Sequence, residues 1–228
     1  MNVEDPYEPE LGSLPEWESA GADTKHTETG TTSIGVTTAD SVVIATDRRA
    51  SLGGRVVSNK NVTKVEQVHD TAALTMVGSV GGAQSFIRSI RAEANLYEAR
   101  RDKPMKIDAL ATLASNFLRG GPFFMINPIL GGVDDTGPHV YSIDPAGGLS
   151  EDEYVVTGSG MQFAMGVLEQ EYREDLSHEE GIEIAARAVQ SASERDTASG
   201  NGITIAEVTT EGVEIHEHED IDDVLGGA

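Results

Sequence analysis

The order in which hydrophobic periodicity changes along the chain limits its fold more than any other feature of the sequence. Apolar and β-branched residues fill Thr31–Thr38 and Ser41–Thr46, two strands joined at Ala39-Asp40 as a hairpin, and a third strand is expected over Thr71–Val77. From Ala83 to Arg101 the period changes. Ala83, Phe86, Ile87, Ile90, Ala94 and Tyr97 recur three or four apart, as on one face of an amphipathic helix. A second helix is expected over Ile107–Leu118, stopped by Gly120-Gly121-Pro122. Strands resume at Met125–Gly131, His139–Ile143 and Tyr154–Thr157, helices at Gln162–Glu174 and His178–Arg195, and strands again at Ile203–Val208 and Val213–His216. Blocks of strands separated by pairs of helices do not make the alternating βαβ units of a doubly wound parallel sheet. The pattern predicts an α+β domain built in layers.

At 228 residues and 38% apolar composition, the chain is able to bury one substantial core. Residues 1–30 stand apart from it: they hold eight acids, one Lys, and Pro6, Pro9 and Pro15, the composition of a loosely docked, removable leader. No basic region followed by an apolar run marks this leader as a secretory signal, and no later stretch is long and apolar enough to span a membrane. The domain is expected over residues 31–216, with residues 217–228 as an acidic tail. Glu211–Asp223 carries seven acids and no Lys or Arg, and reads as a solvated end. A formal charge of −23 repels nucleic acid and anionic lipid. Only five of the sixteen basic residues are Lys, a balance that reads as a cytosolic protein of a salt-loving organism, with an ordinary acidic protein as the alternative. The absence of Cys excludes disulfides, thiolate metal sites and Cys nucleophiles, and fits a cytoplasmic setting. His216 and His218 lie one residue apart with no third imidazole nearby in sequence, so neither a metal nor a cofactor is expected.

Chemistry is suggested at the leader boundary, Thr29-Gly30-Thr31-Thr32. Cutting after Gly30 would leave Thr31 with a hydroxyl and an α-amine on one residue. Such an amine titrates at about 7.7–8.0, so near neutrality a fraction is free to accept the hydroxyl proton. The plain alternative is a turn entering a strand. Asp47-Arg48-Arg49 ends the second strand, where a carboxylate serves either as a turn residue or as the partner of a buried cation. Lys64 stands among the β-branched residues of Asn61-Val62-Thr63-Lys64-Val65: a cation beside Thr31, or a surface residue with its stem over apolar neighbours. Thr157-Gly158-Ser159-Gly160 opens one helix and Arg195-Asp196-Thr197-Ala198-Ser199-Gly200 closes the next. Ser159 is there either a helix N-cap or, with Asp196 and Ser199, part of a hydrogen-bonding group around the Thr31 amine.

In this order and spacing, with Gly78 between them, these fragments resemble the archaeal type of proteasome β subunit, one of the N-terminal nucleophile hydrolases. The resemblance runs from Thr31 to about Ile215. It implies a four-layer αββα sandwich, two antiparallel sheets between helical layers, with the site at one end of the sheets. Thr31 would be the nucleophile of a threonine endopeptidase, freed by autocatalytic cleavage between Gly30 and Thr31. Asp47 and Lys64 would give electrostatic support, Ser159, Asp196 and Ser199 would surround the amine, and the Gly78 N–H would serve the oxyanion. Ala50, Met76 and Val80 match positions of the first specificity pocket, and their apolar character implies cleavage after large hydrophobic residues. The resemblance further implies a heptameric β ring, of one subunit or mixed with a paralogue. Two such rings would stack between rings of α subunits and receive unfolded proteins from an ATP-dependent unfoldase. One extra residue around Gly53-Gly54 places Lys64, not Thr63, at the lysine position. Gly81-Gly82 replaces a more usual Gly-Asp pair, and Gly120–Pro128 is less typical. A bacterial two-component protease with a β-like ring also begins Thr-Thr, but lacks the leader, Asp47-Arg48-Arg49 and Arg195-Asp196-x-x-Ser199-Gly200. The other alternative is a structural β-type subunit without activity.

Overall fold

The first hairpin forms where the sequence places it, because nearly every residue in its two strands has a buried surface to cover. A computed structural model of the protein describes residues 30–52, 54–120 and 125–226. The expected leader up to residue 29, Gly53 and the Gly121-Pro122 helix stop lie outside the described residues. In chain order the elements are β1 (Thr32–Thr37), β2 (Val42–Asp47), β3 (Ala50–Leu52), β4 (Val56–Asn59), β5 (Val65–His69), β6 (Ala72–Thr75), α1 (Val80–Arg101), α2 (Ile107–Gly120), β7 (Ile129–Asp134), β8 (Gly137–Ile143), β9 (Leu149–Glu151), β10 (Tyr154–Gly158), α3 (Met161–Glu171), α4 (His178–Arg195), β11 (Ile203–Thr209), β12 (Gly212–His218) and α5 (Asp222–Leu225).

Two five-stranded antiparallel sheets result, one in the order β10-β1-β2-β11-β12 and one in the order β5-β6-β7-β8-β9. Successive strand residues face opposite sides, and the first sheet uses both. Ile34, Val36, Val43, Ala45, Ile203 and Ile205 face α3 and α4, meeting Leu168, Ile184, Ala188 and Val189. Val42, Ile44, Val155, Ala206 and Val208 point the other way, onto Val65, Ala73, Ile129 and Val140 of the second sheet. The outer face of that sheet carries Ala72, Leu74 and Leu130 against Phe86, Ile87, Ile90, Leu110 and Ala114 of α1 and α2. Four layers follow: helices, sheet, sheet, helices. The central strands, buried on two sides, read in sequence as apolar runs rather than clean alternation, whereas β4, β9 and β12 are largely exposed.

Helix boundaries follow their caps. The Ser79 hydroxyl accepts from the Gly82 N–H, so α1 starts at Val80, before its first core residue, Ala83. Asp102 closes it in the left-handed region at φ 54°. At the start of α2 the Ile107 N–H donates to Asp134 Oδ2 at 2.9 Å, a carboxylate supplied by the end of β7. Ser177 and Glu180 form a reciprocal capping box that fixes the start of α4. Two expected boundaries move. α3 stops at Glu171 rather than Glu174, because Tyr172 is extended, its hydroxyl 3.1 Å from Thr37 Oγ1 and its ring 4.9 Å from that of Tyr154. The strand expected from Met125 starts only at Ile129. Met125 is itself left-handed at φ 63°, and Ile126 makes a single bridge to Gly78. β12 carries the acidic end of the chain along one edge of the first sheet, mostly exposed, while Ile221 beyond it is buried against the α4 layer.

Candidate active site

Three segments converge at the end of the first sheet where β1 begins: the head of β1, the end of β2 and the turn after α4. Asp47, the last residue of β2, is fully buried. Its Oδ1 accepts from the Thr32 N–H at 2.9 Å and from Lys64 Nζ at 2.8 Å; its Oδ2 accepts from the Arg49 N–H at 3.0 Å and the Gly200 N–H at 2.9 Å. Four donors on one carboxylate tie β1, β2, the approach to β5 and the turn after α4 to a single point. Lys64 is 2% exposed, so this ion pair sits out of water. Burial pushes the Lys64 ammonium below its ordinary range, against the attraction of Asp47. Burial likewise pushes the Asp47 carboxyl up, opposed by Lys64 and the backbone donors.

A second hydrogen-bonded group lies on the other side of Thr31. The Thr31 N–H donates to Ser159 Oγ at 3.2 Å, and Ser159 Oγ donates to Asp196 Oδ2 at 2.6 Å. Ser199 Oγ also donates to Asp196 Oδ2, at 2.7 Å; its proton thus engaged, it accepts from Thr32 Oγ1 at 2.8 Å. Ser159 therefore does not cap α3. The cap position is Gly160, without a side-chain bond, and the Ser159 hydroxyl is turned toward Thr31 instead. Asp196 ends α4, its Oδ1 held by the Ala198 N–H at 3.1 Å.

Thr31 itself is 2% exposed, and its hydroxyl donates to the Gly30 carbonyl oxygen at 2.7 Å. Gly30 is wedged into this corner: a Cβ there would lie 1.8 Å from the Ala198 Cβ and 3.0 Å from Ser159 Oγ. Thr31 and Lys64 open onto a small cleft whose remaining walls are Ala50, Val62, Met76, Gly78 and Val80. Gly78 is left-handed at φ 95°, and a Cβ there would meet the Met125 carbonyl oxygen at 1.8 Å, so only glycine fits. A wider opening beside it runs past Gly30, Gly54, Gly78, Asn127, Ser159 and Ala198.

The structure thus assembles Thr31, Asp47, Lys64, Ser159, Asp196 and Ser199 into one connected cluster, with Gly78, Ala50, Met76 and Val80 around the cleft. Lys64 Nζ reaches Asp47, whereas the Thr63 hydroxyl turns away to Glu217. Of the two neighbours, Lys64 is therefore the one that faces Asp47. Sequence reading did not reach the Arg49 and Gly200 N–H donors on Asp47, nor the role of Arg49. Its guanidinium bonds Asn201 Oδ1 and the Thr197 carbonyl, both at 2.9 Å, and braces the turn after α4. The signal available was the pairing of Asp47-Arg48-Arg49 with Ser199-Gly200-Asn201. Among the described residues no group of His, Asp and Glu could hold a metal ion, and no helix is long and apolar enough to cross a membrane.

Two antiparallel sheets between helical layers, with a threonine at the head of β1 beside a buried Asp–Lys pair, define the architecture of the N-terminal nucleophile class. Within that class, the pattern described as "Proteasome subunit" matches residues 27–208. The chain is 69% identical to the proteasome subunit beta of Natrialba magadii over 96% of its own length and 91% of the relative's. It is 67% identical to proteasome subunit beta 1 of Haloterrigena turkmenica, with the same two shares covered. To proteasome subunit beta of Halorhabdus utahensis it is 67% identical, over 97% of this chain and 94% of that one. The chain belongs to the proteasome subunit family, and these relatives, β subunits of halophilic archaea, match the reading of its acidity.

Proposed function

We propose that the chain is a catalytic β subunit of a proteasome core, a threonine endopeptidase that activates itself by cutting its own Gly30–Thr31 bond. The observation that carries this reading is the position of Thr31. Its hydroxyl touches the Gly30 carbonyl, its N–H touches Ser159, and it shares a cleft with Lys64. In the precursor, Thr31 Oγ1 turns from the carbonyl oxygen to the carbonyl carbon and attacks it. The C–N bond breaks, the acyl group passes to Oγ1 as an ester, and the proton goes to the departing nitrogen. Water then hydrolyses the ester and leaves a free Thr31 amine beside Ser159 and Asp196. In the mature enzyme the same hydroxyl attacks a substrate carbonyl, its proton taken by the α-amine directly or through water, while the Lys64 ammonium held by Asp47 gives electrostatic support. The acyl-enzyme is then released by water. The Gly78 N–H donates to the oxyanion, and Ala50, Met76 and Val80 favour a large apolar residue on the acyl side of the cut.

The same reading has the chain in heptameric β rings stacked between α rings, fed unfolded chains by an ATP-dependent unfoldase in the cytoplasm; what supports it is membership of the proteasome subunit family, which implies assembly with other subunits. The test is the intact mass of the β chain from assembled particles, before and after a peptide epoxyketone. That reagent needs both the hydroxyl and the free amine of Thr31 to close its ring adduct. A chain starting at Thr31 that gains one adduct, absent in Thr31→Ala, is expected. An uncut and unreactive chain in a well-assembled particle assigns it to the structural subunits instead.

A further inference from the structure

Strand pairing in the first sheet brings one hydroxyl from each of four neighbouring strands onto a single line. Thr157 of β10 stands opposite Ser33 of β1, Ser33 opposite Thr46 of β2, and Thr46 opposite Thr204 of β11. None of the four is more than 3% exposed. Their direction follows from the residues two positions along each strand. Val155, Ile44 and Ala206 pack in the layer between the sheets, and a Cβ on Gly35 would meet Val140 and Ile129 of the second sheet. The row therefore points into the apolar layer between the sheets, on the opposite face of β1 from the Thr32 hydroxyl that meets Ser199.

No hydroxyl in this row has a hydrogen-bond partner, and these four make up half of the eight buried side-chain atoms in that condition among the described residues. A buried hydroxyl left unpaired keeps its full desolvation penalty, and Val or Ala would fill the same space without it. Chance placement would scatter such groups; here the sheet register collects them. The facing sheet adds Thr75, fully buried, whose oxygen accepts the Ile129 N–H at 2.8 Å and whose own proton remains to be donated. Both ends of the row are polar. Thr157 borders an open cleft with Asn127, Ser142, Ser150 and Asp152. At the other end Thr204 stands opposite Glu217 of β12, which accepts from Arg48 Nη2 at 2.7 Å, and Arg48 Nε is also buried without a partner.

Neighbouring strands lie about 4.8 Å apart. In the structure no two of the four hydroxyls lie within hydrogen-bond distance of each other, and the spacing is the span of two hydrogen bonds of about 2.8 Å meeting at a bent angle. We infer that a file of bound water threads the layer between the two sheets along Thr157, Ser33, Thr46 and Thr204, from the cleft beside β10 to the Arg48–Glu217 pair. Each water bridges two hydroxyls and satisfies both, as water does in a narrow buried site that offers it several polar partners. The file runs directly behind Asp47 and Ser159, since Thr46 precedes the one and Thr157 lies two residues before the other. The buried Asp47–Lys64 pair is thereby backed by polar matter rather than hydrocarbon. This inference is independent of whether Thr31 is a nucleophile.

The test is a high-resolution structure of the assembled particle together with its melting temperature. Ordered water within hydrogen-bond distance of the Ser33, Thr46 and Thr204 hydroxyls is expected in the unsubstituted protein. Thr46→Val and Thr204→Val should each lose the adjacent water and melt at a lower temperature. Thr46→Ser, which keeps the hydroxyl, should retain the water and lie nearer the unsubstituted protein. A dry row overturns the inference, and so does a rise in melting temperature for Thr46→Val or Thr204→Val, the result of removing an uncompensated hydroxyl. Should neither Val variant assemble, density along the row in the unsubstituted particle decides alone.

Discussion

At the scale of single residues, Gly30 and Lys64 are the positions where substitution is most informative. The Thr31 hydroxyl rests on the Gly30 carbonyl only because Gly30 fits against Ala198 without a side chain. Gly30→Ala must displace that carbonyl, and a shift of this kind is expected to slow processing on the order of 100-fold. A time course of intact mass checks it, and processing at the ordinary rate refutes the positional account. Lys64→Ala leaves Asp47 buried with its three backbone donors and no cation. Peptidase activity should fall on the order of 100-fold or more, and the loss of one partner of a buried pair should destabilise the fold by about 3 kcal/mol. Activity on a fluorogenic peptide and a denaturant titration read the two effects separately. Lys64 was legible in the sequence because lysine is scarce in this chain and this one sits among β-branched residues. The Arg49 and Gly200 N–H groups on Asp47 were not, since a backbone donor leaves no mark in residue type; only chain tracing shows which amides a carboxylate meets.

At the scale of elements, Asp134 links β7 to the start of α2. Burial works against its ionisation, but the Thr136 hydroxyl and the Ile107 and Thr136 N–H groups outweigh it and hold its pKa down from 3.8 to about 2. A carboxyl depressed on folding contributes stability that is fully present above about pH 4 and lost as pH falls through about 2. Allowing for solvent screening, that contribution is about 1 kcal/mol. Asp134→Asn should therefore be less stable than the parent near pH 5, with the gap closing toward pH 2, as read by unfolding midpoints across that range. A gap independent of pH would mean that charge plays no part. Removing the α4 capping box with Ser177→Ala should likewise cost about 1 kcal/mol, visible as a lower denaturant midpoint with an unchanged slope. The long helices and the eight strands that the sequence reading placed were legible because each has many apolar residues in one period. β3, β4, β5 and β9 were not: β4 is exposed throughout, β9 is three exposed residues, β3 is as short, and β5 is interrupted by a register shift after Gln67. Such strands exist through their partners' hydrogen bonds, which periodicity does not encode. The late start of β7 and the early end of α3 have the same cause, tertiary contacts at Gly78 and Thr37.

For the whole molecule, the dominant quantity is charge. With 39 acids against 16 bases, repulsion within the folded chain is spread over its surface. Raising salt from about 0.1 M to about 1 M shortens the screening length from about 10 Å to about 3 Å. The melting temperature is accordingly expected to rise over that interval, by calorimetry on the assembled particle. A flat response would show that the carboxylates stand too far apart to matter. The same carboxylates give β12 a second role. It is one of the two edge strands of the first sheet, and an open edge invites another strand to add to it. Glu214, Glu217 and Glu219 stand exposed along or just beyond it, so two unassembled subunits meeting edge to edge bring like charges together. Screening relaxes this guard at the salt concentrations that hold the fold most firmly, and restores it in dilute salt, where an opened chain is most exposed to aggregation.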